Sequence, residues 1–321
     1  MGIFGGKSVA GVEINASEIR LVELAGSRNA ARLLNAGRKA LPEGAVKDGR
    51  ILQREAVSAA LLRMWKELRI KTREVILGVS NQDVIVRFAL FPRVAPDKLD
   101  NLVRFQAQDF LPIPVDDVEL DYMVVGEEKT DDAVQSKLLL VAGRKNMIND
   151  FMSAFEAANL KILDIDISTL ALARLVPEEA ADGACMVMHI GAEQTNILIL
   201  NASYPQLART LTTGFAVPGT GYLREGETEK TIRILAGETG ASIGYFQSQS
   251  RGRGIDKLYL CGCGDYISDA SAGLSEFLGL QVVTIDPFEG VNVSRAGDVY
   301  KSSGASDFSI SMSLALRGLE V

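Results

Sequence analysis

Short blocks of apolar residues, alternating with polar ones or running unbroken, recur along the whole chain. Val9 to Asn15 and Ile19 to Leu24 flank a tight turn and read as a hairpin, and Arg32 to Leu41 follows as a third strand closed by Pro42-Glu43-Gly44. From Gln53 to Leu68 the period changes. Val57, Leu61, Met64, Trp65 and Leu68 stand at helical spacing, which predicts an amphipathic helix with Trp65 in a core. Glu74 to Ser80 and Val84 to Phe91 are β-branched runs and predict strands, and Pro96 to Phe110 predicts a helix stopped at Leu111-Pro112-Ile113-Pro114. Strands are expected at Val118 to Val125 and Lys137 to Ala142, joined by an acidic solvated turn from Gly126 to Val134. A helix at Lys145 to Ala158 leads to a strand at Lys161 to Ile167, with Ser168 expected to cap a helix from Thr169 to Leu175.

A second half repeats the opening. Met186 to Ile190, Asn196 to Asn201 and Gln206 to Leu211 predict three strands, followed by a helix at Glu227 to Ser248. Lys257 to Cys261 is a strand entering the turn Gly262-Cys263-Gly264, and a helix from about Ser268 to Leu278, a strand at Gln281 to Ile285 and a helix from about Ser306 to Leu316 complete the pattern. Strands in threes interleaved with helices predict an α/β fold with mixed sheets flanked by helices. At 321 residues the chain exceeds one ordinary core, so two lobes are expected.

Composition narrows the chemistry. The chain is 47% hydrophobic and 23% charged with a formal net charge of −7, which fits a soluble globular protein and gives no general pull toward nucleic acid or anionic lipid. No apolar run approaches the roughly 18 to 20 residues that span a bilayer, and Met1 to Gly6 lacks both a signal-peptide core and a myristoylation pattern. A cytosolic protein, held at a membrane only by a partner, is expected. With one histidine, neither a Ser-His-Asp triad nor a His-rich metal site is expected, and Cys261-Gly262-Cys263 is too tight for a zinc site.

The most distinctive stretch is Val86-Arg87-Phe88-Ala89-Leu90-Phe91-Pro92, followed by Phe105-Gln106-Ala107-Gln108-Asp109-Phe110-Leu111-Pro112-Ile113-Pro114 and Val118-Glu119-Leu120-Asp121-Tyr122. Together with Leu139-Leu140-Val141-Ala142, Ala171-Leu172-Ala173-Arg174, the Gly191 hairpin, Arg209-Thr210-Leu211, Ile255 to Leu260 and Leu314 to Leu319, it resembles the PilM family of type IV pilus assembly proteins. That family is related to the cell-division protein FtsA within the actin-like superfamily. The resemblance implies an actin-like two-lobed fold. Lobe 1 would span 1–180 with an inserted subdomain at about 42–159, and lobe 2 would span 181–321 with its small subdomain reduced to about 214–250. It also implies a cytoplasmic adaptor at the inner face of the inner membrane, which binds the N-terminal tail of a PilN-like membrane protein and works with other pilus platform or motor components.

In actin-like ATPases two facing hairpins hold nucleotide phosphates by backbone N–H groups, and an acid two positions before each turn glycine organises Mg²⁺. By this resemblance Glu13, Asn15, Ala16, Ser17, Gly191, Gln194, Thr195, Gly262 and Gly264 are the candidate ATP-binding residues. The chain departs from the pattern three times. Its hairpins read Glu13-Ile14-Asn15 and His189-Ile190-Gly191 where relatives have Asp-x-Gly. Asn15 is a tolerable turn residue because asparagine visits positive φ, and Glu13 remains a hard oxygen ligand, but a neutral imidazole does not replace a carboxylate toward Mg²⁺. The loop Gly262-Cys263-Gly264 carries bulk at its centre, and Phe215 to Gly226 is a Gly-rich connection where relatives insert an adenine-clasping subdomain.

These losses imply little or no ATPase activity, no required cofactor, and no catalytic or metal-ligating residue, with ATP and Mg²⁺ as the only candidate ligands. The leading expectation is an adaptor that takes an extended peptide between the core of lobe 1 and its inserted subdomain, with Arg87, Arg104, Gln108, Asp109 and Tyr122 as candidate groove residues. A nucleotide-operated switch and an FtsA-like polymer are the alternatives, the latter without the basic amphipathic tail that FtsA uses.

Overall fold

The computed structural model describes residues 8–129, 134–180, 182–215, 227–250, 252–294 and 305–320. The chain begins with β1 (Ser8–Ile14), β2 (Glu18–Ala25) and β3 (Arg32–Ala40), a small hairpin of β4 (Val46–Lys47) and β5 (Arg50–Ile51), the helix α1 (Arg54–Glu67) and the strand β6 (Glu74–Val79). Next come β7 (Val84–Pro92), α2 (Pro96–Gln106), β8 (Val118–Lys129), β9 (Val134–Arg144), α3 (Lys145–Ala157), β10 (Lys161–Ile167) and the single turn α4 (Ser168–Ala171). The remainder is β11 (Ala184–Ile190), β12 (Thr195–Asn201), β13 (Tyr204–Leu211), α5 (Glu227–Gln249), β14 (Lys257–Gly262), α6 (Ile267–Leu278), β15 (Val282–Thr284) and α7 (Ser309–Gly318).

Two five-stranded sheets share one topology. The first has the order β10-β6-β1-β2-β3 and the second β15-β14-β11-β12-β13, each an antiparallel meander of three strands extended by two parallel ones. Both are covered on their two faces, which is why β1, β2, β11 and β12 are buried almost throughout rather than on alternate residues. On one face of the first sheet α1 and α3 pack with Val57, Leu61, Met64, Trp65, Phe151 and Phe155, and the Trp65 Nε1–H donates to the Thr72 carbonyl at 2.8 Å. The outer face of the second sheet is covered by α5 and α6.

Between the sheets lies a shared core in which Val9 and Ile76 of the first meet Val187, Leu198 and Cys261 of the second, with Ile310 and Leu314 of α7 among them. The last helix of the chain therefore belongs to the interface with the first sheet as much as to lobe 2. It approaches β1 so closely that a Cβ at Gly11 would stand 2.1 Å from the Ser311 carbonyl oxygen.

Between β6 and α3 the chain makes a separate three-stranded sheet, β7-β9-β8, with α2 on one face around Phe91, Val103, Leu138 and Leu140. The inserted unit is thus narrower than the expected 42–159: α1, β6 and α3 are parts of the lobe 1 core. Other differences are local. Of the turn expected at 126–134, Gly126 to Lys129 and Val134 are strand, because β8 continues to Lys129 through a bulge after Val124 and stays paired with β9; residues 130–133 lie outside the described residues. Ser168 does not cap: it is the first residue of α4, and Ile167 precedes the helix without a side-chain cap bond. The hairpin β4–β5 was not expected. The connection from 216 to 226 lies outside the described residues, and the region expected at about 214–250 is described from Glu227 as α5.

The Gly11→Ala variant will lose about 3 kcal/mol of stability or more, since its methyl meets backbone that cannot rotate away. A urea or thermal melt against the parent protein measures this loss.

Candidate functional site

The two hairpin turns face each other, as the repeated pattern predicts. A cavity of about 60 Å³ lies between them, bordered by Glu13, Asn15, Ala16, Ser17, Gly191 and Gln194 together with Arg20, His189 and Asn196. Thr195, Gly262 and Gly264 do not border it.

Several donors of the turns are already engaged. Asn15 is not at positive φ. Its role is an Asx turn: Oδ1 accepts the N–H groups of Ser17 at 2.9 Å and Glu18 at 2.8 Å and the Ser17 hydroxyl at 3.1 Å. In the second turn Gly191 N–H donates to the Gln194 carbonyl at 2.8 Å, and the buried Thr195 hydroxyl donates to the Thr213 carbonyl at 2.7 Å. The third loop is occupied from outside. Gly262 N–H donates to Ser306 Oγ at 2.8 Å, Cys263 N–H to the Ile190 carbonyl at 2.7 Å, and Gly264 N–H to Asp307 Oδ1 at 3.0 Å. The bulk of Cys263 does not obstruct this loop, because its thiol is buried in the core of the second sheet. Gly262 is required here on steric grounds: its φ is +76°, and a Cβ would stand 2.3 Å from the Ile190 carbonyl oxygen.

Beneath the turns is a buried charge cluster. Arg20, opposite Glu13 in the β1–β2 register, lies 3.9 Å from Glu13 Oε2, donates to Glu18 Oε1 at 2.6 Å and reaches the Asp307 carbonyl at 3.1 Å. Asp307 also pairs with Arg38 at 3.0 Å, so one carboxylate joins lobe 1 to the Gly264 loop of lobe 2. A second tie is Asn196 of β12, whose Oδ1 accepts from Thr169 at 2.8 Å, Thr210 at 2.9 Å and Ser80 at 3.2 Å. Glu13 Oε2 and both ring nitrogens of His189 are buried without a hydrogen-bond partner. Burial raises the Glu13 carboxyl from 4.5 to about 7, against the opposing pull of Arg20. Burial, reinforced by Arg20, lowers the His189 imidazole from 6.5 to about 4.

Two wider openings adjoin the core. One, of about 640 Å³, continues from the cavity between the hairpins, sharing Ala16, Glu193 and Gln194 with it, and runs past Thr213 to Lys47, Asp48 and Lys230 of α5. The other is a groove of about 610 Å³ between the inserted sheet and the edge of the first sheet. Its walls are Tyr122, Met123, Leu139 and Val141 on one side and Asp164 to Ile167, Leu170 and Arg174 on the other. Of the five candidate groove residues only Tyr122 borders it. Arg87 is exposed on β7, Arg104 pairs with Asp100 at 3.0 Å on α2, Asp109 is exposed, and Gln108 clamps the exit from α2 by accepting Val115 N–H at 3.1 Å. Arg20, Asp307 and Asn196 were not singled out from the sequence. Arg20 carried a usable signal, being the one basic residue of β2 and directly across from Glu13.

A duplicated meander with parallel extensions, two facing hairpins and a terminal helix between the halves define an actin-like, two-lobed α/β protein. Within that class, the family model for Type IV pilus assembly protein PilM matches residues 11–215, and the chain belongs to that family. Among solved structures, the chain is similar to one from a PilM-PilN type IV pilus biogenesis complex, with 24% identity, 98% of this chain and 99% of that one covered, and a TM-score of 0.83. The cytoplasmic domain of EpsL, an inner membrane component of the type II secretion system of Vibrio cholerae, shares the fold at 11% identity, with 98% and 96% covered and a TM-score of 0.54. The ethanolamine utilization protein EutJ of Carboxydothermus hydrogenoformans does so at 13% identity, with 98% and 90% covered and a TM-score of 0.52.

The two buried titrating groups act in opposite directions. Between pH 4.5 and about 7 the folded chain holds a proton on Glu13 that the unfolded chain has lost, so stability from this group falls as pH rises through that window, by about 3 kcal/mol in all. His189 stays neutral in the folded chain down to about pH 4, so its contribution is full above pH 6.5 and declines as pH falls toward 4. Glu13→Gln removes only the first effect. Its stability relative to the parent will rise between pH 4.5 and 7, and below pH 6.5 it will lose stability more steeply on acidification, as urea melts across pH will record.

Proposed function

We propose that this protein is a pseudo-ATPase adaptor of a type IV pilus inner-membrane platform, and that its ligand is the extended N-terminal cytoplasmic tail of a PilN-like membrane protein. The observation that carries the reading is the contrast between its openings. The cavity between the hairpins is about 60 Å³, room for a few waters, whereas the groove beside β8 and β10 is about 610 Å³ and walled by Met123, Leu139, Val141 and Leu170.

Glu13, Asn15, Ser17, Gly191, Gln194, Thr195, Gly262 and Gly264 do not fit a magnesium nucleotide. The N–H groups of Ser17, Glu18, Gly262 and Gly264 are engaged by Asn15, Ser306 and Asp307, and the Arg20 guanidinium already stands beside Glu13. A divalent cation prefers an anionic oxygen site. Here it would meet a guanidinium, a neutral imidazole and a carboxyl that burial favours in the protonated form. The groove, in contrast, offers apolar side chains and two strand edges, the surfaces on which extended peptides are held. The similarity to a chain of a PilM-PilN complex supports the same partner class. No helix among the described residues is long and apolar enough to cross a membrane, and attachment through the partner's tail accounts for a place at the inner membrane face.

A nucleotide switch is the competing reading, favoured by the opening of about 640 Å³ beside Lys47 and Lys230. Titration calorimetry with Mg-ATP, and separately with a synthetic peptide of the tail, separates the two. Peptide binding without measurable ATP binding is expected, and micromolar Mg-ATP affinity would overturn the pseudo-ATPase reading. Met123→Glu will weaken peptide binding by about tenfold, because an apolar contact is replaced by a charge. Phe105→Ala, which removes an aromatic ring exposed on α2 away from the groove, will leave binding unchanged.

A further inference from the structure

The groove lies between two unpaired strand edges. Among the described residues, β10 is the outermost strand of the first sheet, hydrogen-bonded only to β6, and β8 is the outermost strand of the inserted sheet, bonded only to β9. Both edges carry the same unusual device. The Ile165 N–H donates at 2.8 Å to Oδ1 of the preceding Asp164, and the Ile167 N–H donates at 2.8 Å to Oδ1 of the preceding Asp166. Across the groove the Tyr122 N–H donates at 2.8 Å to Oδ1 of Asp121.

An edge strand uses alternate N–H groups in its ladder and presents the others outward. The register shift between Ile162 and Asp164 sets which are outward beyond it on β10, and those of Ile165 and Ile167 are each covered by the preceding residue's carboxylate. An Asp in this position competes with any incoming strand for a backbone donor.

We propose that the aspartate covers are removable, and that the groove takes its ligand by strand addition to β10. Carbonyl oxygens of an extended segment replace the Asp164 and Asp166 carboxylates on the N–H groups of Ile165 and Ile167. This inference rests on the peptide-binding reading above and specifies its mode.

Three observations favour β10 over β8 as the template. β10 offers two covered donors in consecutive outward positions, and β8 shows one. Ile165 and Ile167 pack against the lobe 1 core, which fixes the edge in place, whereas Tyr122 belongs to the small cluster of the inserted sheet. The displaced carboxylates also have cations at hand. Asp164 Oδ2 already receives Arg317 Nε at 2.6 Å, and Asp166 Oδ2 receives an Arg174 nitrogen at 2.8 Å, so uncovering the backbone strands no charge. The occupant defined by this chemistry is an extended segment with free backbone groups on one edge and apolar side chains toward Met123, Leu139 and Val141.

The test uses the full chain and a series of synthetic tail peptides, each with one backbone nitrogen methylated. Blocking a nitrogen that donates to β10 weakens binding roughly three- to tenfold, and blocking its neighbours does not, so strand addition gives a loss with a period of two along the peptide. Amide hydrogen exchange by NMR supplies the second readout. Ile165 and Ile167 become protected when the unmodified peptide binds. Asp164→Ala speeds exchange at Ile165 in the free protein but not in the complex. Peptide binding with a flat methylation profile and no added protection at Ile165 and Ile167 would overturn strand addition while leaving the adaptor reading intact. Absence of any peptide binding would overturn both.

Discussion

The backbone of α7 rests directly on β1 at Gly11, and the closing of the cleft between the two sheets follows from that contact. A glycine admits the helix to a depth that no side chain would allow, and the helix then fills the seam between the two five-stranded sheets. Residues just before α7 are carried into the cleft by the same seating. Ser306 and Asp307 meet the Gly262–Gly264 loop, and Asp307 turns back to Arg20 and Arg38 of the first sheet. One helix therefore spaces the lobes, closes a loop that would face a ligand, and completes a charge cluster.

Within that cluster the strongest influence is removal from water. Glu13 and His189 are each held toward their neutral forms by burial, and Arg20 carries the charge instead, matched by Glu18 and the Asp307 carbonyl. A buried guanidinium with several acceptors is a stable arrangement because its planar donors are satisfied in fixed directions. The region between the hairpins is thus stabilised by internal partners. The groove on the other side of the Asn196 tie keeps unpaired strand edges and exposed apolar side chains.

Much of the fold was legible in sequence, because strand and helix periods differ and the two halves repeat one order of strands. The repeated hairpin predicted the facing turns, and the Phe105 to Tyr122 stretch pointed to the family. What stayed hidden depended on contacts between distant segments. Periodicity tells which face of a strand is apolar but not which strand will lie across from it, so Tyr122 fell in the groove while Arg87, Arg104, Gln108 and Asp109 did not. Asn15 was read through its tolerance of positive φ, whereas its side chain closes the turn by hydrogen bonds in ordinary backbone geometry. Asp307 could not be foreseen because its partners lie on β2, β3 and the loop after β14.

The three groups of engaged donors also bear on how firmly the turns are held. Asn15 occupies the first turn from within, Gln194 and Thr213 occupy the second through main-chain carbonyls, and Ser306 with Asp307 occupies the third from the far end of the chain. Each occupation uses a different segment, so a substitution at any one of them frees only part of the set. The shape of the turns is thus held by three independent fastenings, and the loss of one leaves the other two in place.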